Sequence, residues 1–170
     1  MNDVFLFMKG KTCCERVFFM CDKINFFMKF VTVLLLLFFS CKNNCNSVHG
    51  ILIWKENLIV ADENGFSYCE LVEKALLNDD DAISKLLSDK LGFGAASAYG
   101  NADVIVHIID RLGQDKFITH IEKLPDFELK SVKGSISAGL EYSSDTKFVE
   151  KKISEIFPTI NKFFNDRRIK

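Results

Sequence analysis

The sequence lacks the residue patterns on which most catalytic and metal sites depend. Cys13 and Cys14 are adjacent, and no second Cys or His pair follows them at the spacing of a zinc site. Gly92, Gly94 and Ser97 do not complete GxGxxG, and they follow a predicted helix where a dinucleotide site needs a strand. We therefore predict no catalytic residue set, no metal and no cofactor.

Two further motifs are incomplete. Ser135 stands where GxSxG requires its first glycine, which argues against a serine hydrolase built on Ser137 and Gly139. The three Asp residues at 79–81 lack the alternating ligands and the distal Glu of a calcium loop. We interpret them as carboxylates at the start of a helix, where the helix dipole favours negative charge.

The chain after the first 40 residues lacks an excess of positive charge. From Cys41 onward the chain has 17 Lys and Arg against 20 Asp and Glu, a formal charge of −3. Because nucleic acid is bound through clustered Lys and Arg, we predict no nucleic-acid partner. Two interpretations stay open for the basic C-terminus: interaction with the dipole of the last helix, or contact with anionic headgroups. Its members are Lys162, Arg167, Arg168 and Lys170.

An apolar run precedes Cys41. From Met28 the sequence reads MKFVTVLLLLFFSC, in which one Lys is followed by about ten apolar residues and then by Ser40 and Cys41. This layout is typical of a cleaved signal peptide, and the run is shorter than the roughly 20 apolar residues that span a bilayer. We predict a signal peptide at residues 28–40, with residues 1–27 as an upstream extension or n-region and translation beginning at Met20 or Met28.

The end of this run resembles the lipobox of bacterial lipoproteins, in which a small residue precedes the lipidated Cys. Phe38 departs from the usual Leu three residues before that Cys, whereas the Cys-Lys-Asn-Asn that follows is similar to lipoproteins of Bacteroidota. The resemblance implies that Cys41 carries palmitate and anchors the chain in the cell envelope, at the outer membrane or the periplasmic face. An uncleaved membrane anchor or a buried core helix remains the alternative.

Two cysteines remain after Cys41. Cys45 and Cys69 can form a disulfide in an exported domain, closing a loop of about 25 residues. The alternative is that Cys69 is a small buried hydrophobe on a helix. Residues 41–48 are polar and without a period, so we predict a lipidated tether there and a helical domain at residues 49–170.

The domain is predicted to be mainly α, with short helical hairpins packed as a small bundle or a solenoid-like stack. Apolar residues at 51–54 and 58–61 suggest an N-terminal β-hairpin before the helices. Ser67 predicts a helix from Tyr68, and Gly113 is predicted to end another helix in the left-handed conformation. The segment AYGNADVIVHIIDRLG is similar to the helix-turn-helix of an ankyrin repeat, which implies a turn at Gly100.

Three functional classes follow. We expect a non-enzymatic, lipid-anchored module that binds a partner protein, an immunity-type lipoprotein being one form of it. The second class is an envelope enzyme with a site assembled from His107, Asp110, His120 and Tyr99, because His107 and Asp110 can share a helix face. Against the enzyme class, His107 lies beside the apolar stripe of its helix, and Asp110 is expected at the solvent-exposed edge of that helix. A structural lipoprotein is the third class.

Overall fold

The structure is a computed structural model that describes residues 45–88, residue 92 and residues 94–169. The predictions for residues 1–27, for the signal peptide at 28–40 and for Cys41 therefore lie outside the described residues. Cys45–Lys170 forms one compact unit.

This unit is mainly α with a small antiparallel hairpin, as the sequence predicts. Its elements in chain order are β1 (Ser47–Val48), β2 (Ile51–Leu52), α1 (Lys55–Glu63), α2 (Tyr68–Leu76), α3 (Asp80–Leu87), α4 (Ala95–Leu112), α5 (Gln114–Ile121), α6 (Asp126–Glu141), α7 (Ile153–Ile156) and α8 (Pro158–Asp166).

The hairpin lies earlier in the chain than predicted. Val48 pairs with Ile51 around His49 and Gly50, which both have positive φ, as a tight hairpin turn requires. The second predicted strand, at residues 58–61, is wrong, because these residues belong to α1. Periodicity cannot separate a strand from a helix in so short an apolar run. Strand β1 (Ser47–Val48) occupies the last two residues of the segment 41–48 that the sequence predicts as a tether, and residues 41–44 of that segment lie outside the described residues.

Local capping signals locate two helix starts correctly. The Ser67 hydroxyl accepts a hydrogen bond from the backbone N–H of Glu70 (3.3 Å) at the start of α2. Asp79 accepts from the backbone N–H of Ala82 (2.8 Å) at the start of α3. Each cap satisfies a backbone donor that the first helical turn leaves unpaired.

The predicted turn at Gly100 is wrong, because α4 runs through this residue without a break. A side chain at Gly100 would collide with Asn57 and with the Cβ of Trp54, at 2.8 Å. Gly100 therefore serves the close approach of α1 to α4, and the likeness to an ankyrin hairpin does not hold at this point. Gly113 ends α4 with φ +87° as expected, but its ψ of 149° is extended, so the conformation is not left-handed helical.

The core surrounds α4, which packs most extensively on α6. A Cβ at Gly139 of α6 would meet the backbone carbonyl of Ala102, so the two helices touch through backbone there. Every residue of α4 from Gly100 to Ile109 is consequently buried. The large side chains with the least exposure are Tyr68, Phe117, Phe148, Phe164, Ile51, Ile83, Ile105, Ile108, Ile109, Ile121, Leu129 and Ile136.

The chain between α6 and α7 forms turns and not a regular helix. Phe148 and Val149 lie in a turn, and regular helix begins only at Ile153. Glu150 has a φ of +61°, which no right-handed helix accommodates. Pro158 is the first residue of α8, where its missing N–H costs no hydrogen bond.

Candidate functional site

The most buried charged group among the described residues is the Asp103 carboxylate in the middle of α4. Oδ1 accepts a hydrogen bond from the Ser143 hydroxyl (2.8 Å). Oδ2 accepts from the hydroxyl (2.8 Å) and the backbone N–H (3.3 Å) of Ser144. The carboxylate thus fastens the turn after α6 to the central helix.

His107 lies one helical turn after Asp103. Its Nε2 is 3.5 Å from Asp103 Oδ1, which is too far for a well-formed hydrogen bond. Among the described residues, this buried nitrogen has no hydrogen-bond partner. The ring meets Phe148 edge to face, with centroids 5.1 Å apart. His107 is therefore held by packing as well as by the nearby charge.

Asp103, His107 and the two serines have the residue types of a hydrolase triad but not its connectivity. In a triad the serine hydroxyl bonds to the imidazole, which in turn bonds to the carboxylate. Here Ser143 and Ser144 both donate directly to Asp103. The arrangement suits a structural anchor for the turn after α6, because a carboxylate that accepts three donors is fixed in place.

In the described part of the chain, the residues of the predicted enzyme site do not converge on one place. Asp110 pairs with Lys147 (Nζ to Oδ1, 2.6 Å) at the surface. His120 lies on α5 with Nδ1 2.6 Å from Asp80 and Nε2 3.2 Å from the Asn78 side-chain oxygen. Both nitrogens of this ring, which is only 6% exposed, are engaged in tying α5 to the start of α3.

Tyr99 belongs to an exposed aromatic pair. Its ring lies 4.5 Å from that of Tyr142, centroid to centroid, where α4 and the end of α6 meet. A hydrogen bond with the Glu141 carboxylate is the main cause that raises the pKa of Tyr142 above its usual value. The pair adds an aromatic patch to the surface beside the Asp103 anchor.

A buried polar pair lies on the other side of α4. The Tyr68 hydroxyl donates to the Asn101 side-chain oxygen (2.7 Å), and the Asn101 amide donates to the carbonyl of Leu86 (2.8 Å). Burial, with a smaller contribution from the charge of Asp103, raises the pKa of Tyr68 well above its usual value. These contacts join α2, α3 and α4.

A cleft of about 270 Å³ opens between α3, α5 and α6. Leu87, Leu124 and Val132 supply apolar walls, while Phe127 at the start of α6 stands at the cleft and is 71% exposed. His120 and Glu128 add polar groups to the lining. An aromatic side chain left this exposed beside an apolar cleft is the kind of feature that partner proteins contact.

Cys45 and Cys69 form a disulfide, with Cα atoms 6.4 Å apart. It fixes the chain two residues before β1 to the first turn of α2. Such bonds persist in oxidising compartments outside the cytosol.

The basic C-terminus is partly engaged. Arg167 donates from its guanidinium to the carbonyl of Glu122, at the end of α5. It thus interacts with the negative end of a neighbouring helix. Lys162 and Arg168 are exposed, and Lys170 lies outside the described residues.

In the part of the chain that the structure describes, no three His, Cys, Asp or Glu side chains are grouped as a metal site requires. No helix there combines the length and apolar composition of a membrane span. Comparison with protein-family models gives no match, and neither do the searches of curated proteins and of solved structures.

Sequence reasoning overlooked Asp103, Asn101 and Tyr68. Each stands next to or within an apolar helical stripe, and that position was the available signal. A polar residue inside such a stripe must find hydrogen-bond partners when it is buried.

Proposed function

We infer that the chain is a lipid-anchored protein of the cell envelope whose helical domain binds a partner protein. The observation that carries the anchor is the signal-like run ending at Cys41, followed four residues later by a cysteine that forms a disulfide with Cys69. A stabilising disulfide is of use only where thiols are oxidised, as they are after export. The leader and the disulfide thus favour the same compartment.

The protein-binding part of the proposal is supported by the exposed apolar surface. Phe127 and Leu77 (78% exposed) are the most exposed large apolar side chains among the described residues. Phe127 adjoins the cleft between α3, α5 and α6, so a partner could bury its ring while filling the cleft. The polar groups Asp103 and Asn101 are occupied by internal hydrogen bonds, which favours binding over chemistry at these positions.

The anchor is tested with labelled palmitate. The wild-type chain should incorporate label and sediment with membranes, whereas Cys41→Ser should do neither. Cys45→Ser is the matched control, because it removes a thiol four residues away and should leave the acylation intact. Incorporation by Cys41→Ser, or an unlabelled wild type, refutes the anchor.

Partner binding is tested with the products of neighbouring genes. An immunity-type function predicts that the chain protects cells from one such product and forms a complex with it. Phe127→Ser should weaken that complex by about tenfold or more, as expected for a central aromatic contact. Tyr99→Ser, at the patch beside the Asp103 anchor, is the control. Equal affinity of wild type and Phe127→Ser would exclude this cleft as the binding site.

A further inference from the structure

We propose that the outer face of the β1–β2 hairpin, with Leu52 at its centre, lies against the lipid surface of the membrane. This inference rests on the acylation of Cys41 proposed above. It specifies how the domain is oriented on the membrane, and therefore which surface is inaccessible to partner proteins.

The length of the connection is the first argument. Only residues 42–44 separate Cys41 from Cys45. A fully extended chain advances at most about 3.6 Å per residue, so Cys45 lies within about 14 Å of the acylated residue. The disulfide to Cys69 holds Cys45 on the folded unit, and β1 starts two residues later. The hairpin is therefore kept near the lipid whatever path the connection takes.

The two faces of the hairpin differ in character. Val48, Ile51 and Ile53 are buried in the core. Ser47 and Leu52 pair directly across the strands and are both exposed, Leu52 at 51%. Successive side chains of a strand point to opposite faces, so these two share the face turned away from the core. An apolar side chain on this face can enter the interfacial region of a bilayer.

The charge around the hairpin fits an anionic lipid surface. No Asp or Glu occurs from Cys41 to Lys55, although the chain carries 20 such residues from Cys41 onward. Arg111 donates from its guanidinium to the carbonyl of His49 (3.0 Å), which holds a cation at the hairpin turn. Lys55 is exposed at the start of α1. Cations close to an anionic leaflet are attracted to it.

The more exposed apolar side chains have the opposite surroundings. Leu77 is followed by the carboxylates of residues 79–81, and Phe127 stands between Asp126 and Glu128. Anionic headgroups repel carboxylates, so these positions suit an aqueous partner better than a membrane. Leu52 alone among these three combines apolar exposure with an acid-free surrounding segment.

Tryptophan quenching by brominated lipid tests this orientation. Trp54 is the single tryptophan of the chain, so Trp54→Phe provides the background for Leu52→Trp and, as the matched control, Phe127→Trp. The full chain is expressed with its leader and reconstituted into phosphatidylethanolamine–phosphatidylglycerol vesicles with brominated tails. We expect quenching at position 52 to exceed that at position 127 by about threefold or more. Circular dichroism verifies folding, and Ser47→Trp provides a second probe of the same face.

Mass spectrometry of the N-terminal peptide separates the two ways of failing. Acylated protein whose probes at 52 and 47 are quenched no more than the probe at 127 overturns the hairpin orientation and leaves the anchor standing. Protein without acyl chains overturns both proposals.

Discussion

Two glycines of α6 should respond to alanine with opposite signs. Gly139 lies where α6 touches α4, and an added Cβ would meet the carbonyl oxygen of Ala102 and the Cγ2 of Val106, the latter at 2.6 Å. Gly134 is exposed on the same helix, with no atom within 4 Å of an added Cβ. The pair therefore separates packing from helix propensity.

The expected magnitudes follow from these contacts. Alanine is the better helix former by about 1 kcal/mol, and Gly134→Ala should gain most of this. Gly139→Ala gains the same propensity but must push α6 away from a backbone carbonyl, which cannot rotate aside. Overpacking typically costs about 1–3 kcal/mol, and a backbone obstacle belongs at the upper end, so a net loss of about 1–2 kcal/mol is expected.

Urea unfolding of the full chain in detergent, followed by far-ultraviolet circular dichroism, measures both effects. The transition midpoint should rise for Gly134→Ala and fall for Gly139→Ala, with unchanged slopes. A Gly139→Ala protein as stable as the wild type would refute the close contact between α4 and α6. A Gly134→Ala protein that loses stability would show that propensity does not govern the exposed position.

Four further predictions concern polar groups and the disulfide. Asp103→Asn should lower the free energy of unfolding by about 1–3 kcal/mol, because an amide donor then faces a hydroxyl or N–H donor. The surface variant Asp110→Asn should lower it by less than about 1 kcal/mol. Equal losses of the two variants in urea unfolding would contradict the role of Asp103 as an anchor. Tyr68→Phe should cost about 1–3 kcal/mol by leaving the buried oxygen of Asn101 without a donor, as thermal unfolding can check. Because the pKa of Tyr68 is raised in the folded state, wild-type stability should be complete below about pH 10 and decline above it, and this decline should be smaller in Tyr68→Phe. Reducing the disulfide should cost about 3 kcal/mol, and unchanged unfolding after reduction would show that the crosslink does not constrain the unfolded chain.

Predictions from neighbouring residues succeeded where the physics is local. The cap at Ser67 and the Asp79 start of α3 depend on hydrogen bonds to residues three positions away, so the sequence carries the whole interaction. The strand predicted at residues 58–61 failed because an apolar run of four residues fits either type of element. Its outcome is decided by the burial of Asn57 and Ala61 on one helical face.

The candidate site needed contacts between residues far apart in the chain. Nothing near Asp103 in sequence shows that Ser143 and Ser144, 40 and 41 residues away, supply its donors. Likewise, His107 and Asp110 share a helix, but Asp110 pairs with Lys147 at the surface, whereas His107 is buried against Phe148. Helical spacing specifies which residues neighbour one another on a helix, not what packs against them.

The sequence by itself determined the helical class of the domain and the positions at which α2 and α3 begin, because periodicity and capping act over one or two turns. It also contains the leader pattern from which the anchor is proposed. Only the tertiary structure decided that Gly100 continues a helix, that Gly139 is a contact with backbone, and that Asp103 anchors a distant turn. These outcomes depend on which surfaces meet after the chain folds, because packing contacts and the hydrogen bonds of buried polar groups involve residues far apart in the sequence.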